Sequence, residues 1–176
     1  MNKTAKHIIL IGMPACGKST VGVLAAKNLG YRFIDSDLII QERDGRRLHR
    51  IIAEEGQAGF LAMEEAVNLT LGNDMPPAVI ATGGSAVYSP AAMEHFKAVG
   101  TVVYLRLSFE TVQKRLGDFT HRGVVMPEGY TLRDLYDERI ALYETYADII
   151  IDETQTDRIG DVLQAICSRF DGEPTS

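Results

Sequence analysis

The octapeptide Gly12-Met13-Pro14-Ala15-Cys16-Gly17-Lys18-Ser19 stands between an apolar run at residues 8–11 and a stretch of helical composition at residues 20–29. It matches the pattern G-x-x-x-x-G-K-[ST] at every fixed position. Glycines at the two ends let the backbone curl so that successive N–H groups point inward, which makes a cradle for phosphate oxygens. A helix opening near Lys18 adds the positive end of its dipole to the same spot. The pattern places the Lys18 ammonium on the β- and γ-phosphates of a nucleotide and the Ser19 hydroxyl on Mg²⁺. A strand before and a helix behind are the context that separates such a loop from a chance glycine turn.

The segment is therefore read as a P-loop for ATP. Its candidate nucleotide-binding residues are Gly12, Ala15, Cys16, Gly17, Lys18 and Ser19, with Thr20 entering the helix. Cys16 fills a variable position. Its place at a helix N-terminus leaves a redox role conceivable, because that setting can lower a thiol's pKa.

The remaining chain alternates short apolar runs with helical stretches. Residues 31–34, 78–82, 101–107 and 148–152 read as further strands. Residues 38–71 read as mostly helical, interrupted near Asp44-Gly45 and Gly56, with Phe60, Met63 and Val67 on one buried stripe. Residues 109–116 and 157–170 also read as helices, and another opens at Thr131, where Asp134 three residues on resembles a capping box. Leu132, Leu135, Leu142 and Tyr146 can share its buried side. Residues 117–130 carry glycines and a proline without a sustained period and read as a lid. Alternating strands and helices imply a parallel sheet covered on both faces. The expectation is one α/β domain over residues 1–176, a three-layer α/β/α P-loop NTPase with a five-stranded parallel sheet.

Composition narrows the partners. At 176 residues the chain is the size of one domain, and a formal net charge of -6 disfavours a phosphate backbone as main partner. Nucleic acid is not expected. No apolar run approaches the roughly 20 residues that cross a bilayer, and residues 1–7 are short and polar, unlike a signal peptide. Cys16 and Cys167 lack zinc or disulfide-framework spacing. A cytoplasmic monomer without a membrane is the expectation. His49, His95 and His121 show no ligand spacing and read as surface residues, with His121 able to join the lid.

The guanine-reading string Asn-Lys-x-Asp does not occur, and motor-type ATPases need more chain. From Phe33-Ile34-Asp35-Ser36-Asp37 onward the sequence resembles the shikimate kinase family. The resemblance continues through Gly59-Phe60-Leu61-Ala62-Met63-Glu64-Glu65, Thr82-Gly83-Gly84-Ser85, Val102-Val103-Tyr104-Leu105, Arg115, Arg122 and Arg139-Ile140-Ala141-Leu142-Tyr143. It covers residues 8–170. It implies a nucleoside-monophosphate-kinase-like fold, an acceptor-binding helical region at about 38–71, and transfer of the ATP γ-phosphate to a hydroxyl of a small molecule. By the same resemblance Asp35 supports Mg²⁺ through water, and Asp37 meets the acceptor hydroxyl as base or orienter. Arg122 is then the lid arginine that folds over the γ-phosphate, Arg115 stacks on adenine, and Arg139 grips a substrate carboxylate. Lys18, Asp37 and Arg122 form the candidate catalytic set. Asp37, Leu61, Glu64, Gly83, Gly84, Ser85 and Arg139 form the candidate acceptor set, and Ser19 and Asp35 the metal set.

Three segments depart from the family pattern. Leu61 stands where the family reads arginine, the second cation on the substrate carboxylate. Losing such a fork weakens an acid roughly 10- to 100-fold if nothing replaces it, and leaves Glu64 without its cation. Ser85 stands where the family has a third glycine, and Arg122-Gly123-Val124-Val125 replaces Arg-Pro-Leu-Leu. The ATP half matches and the acceptor half is altered. Shikimate itself, with Arg46, Arg47 or Arg50 as substitute cation, stays open. So do a different hydroxylated acceptor such as an amino alcohol or a less acidic polyol, another small-metabolite kinase, and a non-catalytic nucleotide-binding regulator. Retention of Lys18, Ser19, Asp35, Asp37 and Arg122 argues against the last.

Overall fold

Five parallel strands form one sheet in the order β2-β3-β1-β4-β5, with β1 (His7–Ile11) at its centre between β3 (Ala78–Ala81) and β4 (Gly100–Arg106). The edges are β2 (Arg32–Asp35), paired with β3, and β5 (Ile149–Asp152), paired with β4. The computed structural model describes residues 7–117, 124–153 and 158–171. Every residue of β1 and β3 is buried, which is why both read as continuous apolar runs rather than alternating ones.

Helix α1 (Lys18–Leu29) connects β1 to β2 and packs with α7 (Ile159–Phe170). Helices α2 (Ser36–Asp44) and α3 (Leu48–Asn68) lead from β2 to β3. After β3 come a 3₁₀ turn (Ala86–Tyr88) and α4 (Pro90–Val99), and after β4 come α5 (Phe109–Leu116) and α6 (Leu132–Tyr146). The chain leaves β1 toward β2 but leaves β3 toward β4, in opposite directions. Right-handed crossovers therefore put α1 and α4 on opposite faces. At that reversal, the carboxyl end of β1 opens into a crevice, the usual seat of a ligand in such sheets.

Both helix breaks fall where the sequence places them. Gly45 ends α2 in the left-handed region, donating its N–H to Gln41 O, and Gly56 interrupts α3 at φ 71° and ψ 176°. At Thr131 the capping box is complete. Thr131 Oγ1 accepts from the Asp134 N–H at 3.1 Å, and Asp134 Oδ2 accepts from the Thr131 N–H at 2.8 Å.

Other details differ from the sequence reading. Helix α4 went unread, although Ser89 caps it and Pro90 starts it, the two residue types suited to those positions. The polar lead-in 1–7 ends one residue earlier than expected, because His7 belongs to β1 and is buried. Its Nδ1 accepts the Ala78 N–H and its Nε2 donates to Gly72 O, so the ring serves as a backbone hydrogen-bonding group between strands. On α6 the buried side runs through Leu132, Leu135, Tyr136, Arg139 and Tyr143, whereas Leu142 and Tyr146 are half-buried. That stripe holds a guanidinium and two phenols, which a hydrophobicity reading passes over.

Candidate active site

The loop after β1 has the conformation its glycines demand. Gly12 sits at φ 148°, and a Cβ there would lie 2.8 Å from Leu105 O and 2.9 Å from Cys16 Sγ. Ala15 is held at φ 63°, a left-handed conformation that a residue with a Cβ adopts only under constraint. Gly17 precedes the first turn of α1, and its own φ is 87°. Lys18 lies over the loop, with Nζ donating to Gly12 O at 2.8 Å and Met13 O at 2.9 Å. Cys16 is buried beneath it. Burial pushes its thiol pKa up despite the nearby ammonium, which places Cys16 with packing residues rather than reactive thiols.

Asp35 ends β2 and joins two elements. Its Oδ1 accepts the N–H groups of Asp37 and Leu38, capping α2, while its Oδ2 accepts the Ser19 hydroxyl at 2.6 Å. Asp37 therefore starts a helix from a fixed point and faces a cleft of about 300 Å³. Lys18, Ser19, Thr20, Thr82 and Gly84 line the same cleft. Burial, reinforced by the Asp35 carboxylate and opposed by Lys18, raises the Asp37 pKa to about 6. Arg115 borders a separate space of about 240 Å³ with Cys16, Gly17, Val21 and Ile159, and lies 3.9 Å from Glu153.

The loop after β3 carries the acceptor-side candidates. The Ser36 hydroxyl accepts the Gly83 N–H at 3.1 Å, and Tyr143 donates to Gly84 O at 2.6 Å. A Cβ at Gly83 would collide with both Glu64 Oε1 and Asp37 Oδ1, so a larger residue there requires both carboxyl ends to move. Glu64 is 1% exposed, and burial raises its pKa to about 7 against the Ser85 hydrogen bond that favours its charged form. Ser85 Oγ donates to Glu64 Oε2 at 2.7 Å. Glu64 thus has a partner that the sequence reading did not supply: the serine in place of the third glycine donates to its carboxyl. Position 85 carried the signal, but the spatial meeting of residues 64 and 85 could not be read from their spacing.

Arg139, 1% exposed, donates from Nη2 to Val125 O at 2.6 Å and from Nε to Tyr88 OH at 3.3 Å, with its guanidinium 5.2 Å from the Tyr88 ring centre. No carboxylate lies within ion-pair distance of it among the described residues. Arg46, one of the possible substitute cations, is instead engaged by Asp44, Glu54 and Glu55. Arg50 points along α3 to Glu54 at 3.9 Å. Arg122 and His121 lie outside the described residues, as do residues 118–123 of the lid. His49 is exposed, and His95 is half-buried, its Nε2 donating to Leu71 O at 2.7 Å.

The family model for shikimate kinase matches residues 14–170. The chain belongs to the shikimate kinase family. Its relatives include the shikimate kinase of Halorhodospira halophila, 39% identical with 98% of each chain covered, and that of Thiobacillus denitrificans, 37% identical over 97% of this chain and 94% of that one. A solved shikimate kinase of Acinetobacter baumannii, described in complex with shikimate, superposes with a TM-score of 0.81. It is 34% identical and covers 95% of this chain and 96% of its own. The P-loop NTPase fold and an ATP-dependent, shikimate kinase-like phosphotransferase activity with an alcohol acceptor follow from these likenesses. No helix among the described residues is long and apolar enough to cross a membrane.

Proposed function

We propose that this enzyme transfers the γ-phosphate of Mg²⁺-ATP to a hydroxyl of a small hydroxy acid of the shikimate type, with Arg139 holding the acid's carboxylate. The observation that carries the proposal is the Arg139 guanidinium: buried, fixed by Val125 and Tyr88, and without a carboxylate partner among the described residues. A buried charge is stable only when compensated, and an anionic ligand compensates this one.

Asp37, ionised above pH about 6, accepts the proton of the acceptor hydroxyl as that oxygen attacks the γ-phosphorus and ADP leaves. Lys18 exchanges its loop carbonyls for phosphate oxygens. The Ser19 hydroxyl and Asp35 carboxylate, 2.6 Å apart, form a hard-oxygen set suited to Mg²⁺. The metal would neutralise charge on the transferring phosphate. Arg115 and the space beside it would take the base, and Arg122 would close over the phosphates. Glu64 and the Gly83-Gly84-Ser85 loop would shape the acceptor's floor, with Leu61 contributing an apolar wall where a second cation is missing.

A coupled assay of ADP release against a panel of hydroxy acids and their uncharged alcohol counterparts tests this. Turnover confined to the acids is expected. Equal turnover of the uncharged counterparts would remove Arg139 from carboxylate recognition.

A further inference from the structure

Beside the Glu64–Ser85 pair, α3 and the 3₁₀ turn border a further cavity of about 150 Å³. Asn68, Leu61, Glu65 and Tyr88 help to line it. Asn68 is 0% exposed, yet neither its amide oxygen nor its amide nitrogen has a hydrogen-bond partner among the described residues. The second carboxyl oxygen of Glu64 is likewise buried and unpartnered there. The two unpaired polar atoms of the Asn68 amide are costly at this cavity unless something hydrogen-bonds to them.

The chemistry of the lining restricts what that is. Asn68 offers a donor and an acceptor side by side, which suits a hydroxyl. No lysine, arginine or histidine lines the cavity, and two glutamates do, so an anion is disfavoured. The volume exceeds that of one water, whose share of the liquid is about 30 Å³. Glu64 lines this cavity with its Oε2 on Ser85, while its Oε1 and the Asp37 carboxyl, which lines the nucleotide cleft, both lie against Gly83.

We infer that the cavity between α3 and the 3₁₀ turn is an acceptor subsite in which Asn68 recognises an additional uncharged hydroxyl. This rests on the hydroxy-acid reading above and narrows it: the preferred acceptor carries a hydroxyl-bearing arm besides its carboxylate and its reacting hydroxyl. Asn68 is a specificity-determining residue, and Leu61 supplies the apolar side of the same space.

Calorimetric titration of shikimate, quinate and D-gluconate, each with a non-hydrolysable ATP analogue and Mg²⁺, tests the subsite on wild type, Asn68→Leu and Asn68→Ser. The tightest-binding acid should lose about 10-fold or more in affinity in Asn68→Leu. Much of that loss should return in Asn68→Ser, which restores a hydroxyl, and the nucleotide affinity should stay within about twofold in both. Affinities for all three acids unchanged in Asn68→Leu, with a raised melting temperature, would show a water-filled structural cavity and overturn the inference. Failure of all three acids to bind the wild type would overturn it as well. Because binding is read apart from turnover, the two readings separate. An acid bound through Asn68 but not phosphorylated contradicts the proposed reaction and keeps the subsite. An acid phosphorylated with a KM indifferent to Asn68 does the reverse.

Discussion

Replacing Glu64 with glutamine keeps an acceptor for the Ser85 hydroxyl and removes the only charge at that atom pair. Burial, with the neighbouring Asp37, raises the Glu64 pKa from 4.5 to about 7, opposed by Ser85, Arg139 and Lys18. Between those values the folded chain keeps a proton that the unfolded chain has released, so stability falls as pH rises through the window. Above about 7 both states are ionised and the penalty is complete. At about 1.4 kcal/mol per pH unit, the window corresponds to about 3 kcal/mol. For a chain of this size that is roughly 6–12 °C in melting temperature. Melting of wild type and Glu64→Gln by circular dichroism at pH 4.5 and pH 8 reads the effect. The variant should gain on the wild type by that interval as pH is raised. A constant difference between the two proteins across the range would show that Glu64 titrates normally, and that its burial is relieved by something else.

Other outcomes follow from the same geometry. Lys18→Ala and Asp37→Asn should each abolish transfer while leaving a native circular dichroism spectrum, because both groups act on the reacting phosphate and hydroxyl rather than in the core; near-normal turnover removes the residue concerned from the mechanism. The kcat/KM of the wild type should rise with pH through about 6 as Asp37 loses its proton, and a flat profile from pH 5 to 8 would exclude Asp37 as the base. Gly83→Ala should lower kcat/KM by about 100-fold, since its Cβ collides with both Glu64 and Asp37 and displaces reacting groups; kinetics within a few-fold of wild type would show that both carboxyls yield without consequence.

The loop conformation and the Ser19–Asp35 contact of the candidate nucleotide half were legible in sequence because they are local. Residues 12–19 are contiguous, and Asp35 and Asp37 follow one strand end, so spacing alone brings them near. The acceptor half depends on tertiary meetings. Residues 64 and 85 come together through α3 and the loop after β3, and Arg139 reaches the same region from α6. The sequence identified these positions by resemblance, yet it could not show that Ser85 would satisfy Glu64. The buried stripe of α6 was partly misread for a related reason: Arg139, Tyr136 and Tyr143 are buried with their polar ends donating to Val125 O, Leu107 O and Gly84 O, contacts that a hydrophobic pattern does not register. Asn68 was invisible among helical residues because only its burial without a hydrogen-bond partner among the described residues marks it.

The most direct test compares acceptor kinetics of wild type and Arg139→Met with shikimate and saturating Mg²⁺-ATP. Methionine keeps much of the side-chain volume and removes the charge. A carboxylate held by Arg139 predicts a KM for shikimate raised about 10- to 100-fold in the variant, with the KM for ATP unchanged. Equal shikimate KM values in the two proteins, or a wild type that binds ATP and transfers no phosphate to shikimate or any hydroxy acid, would contradict it.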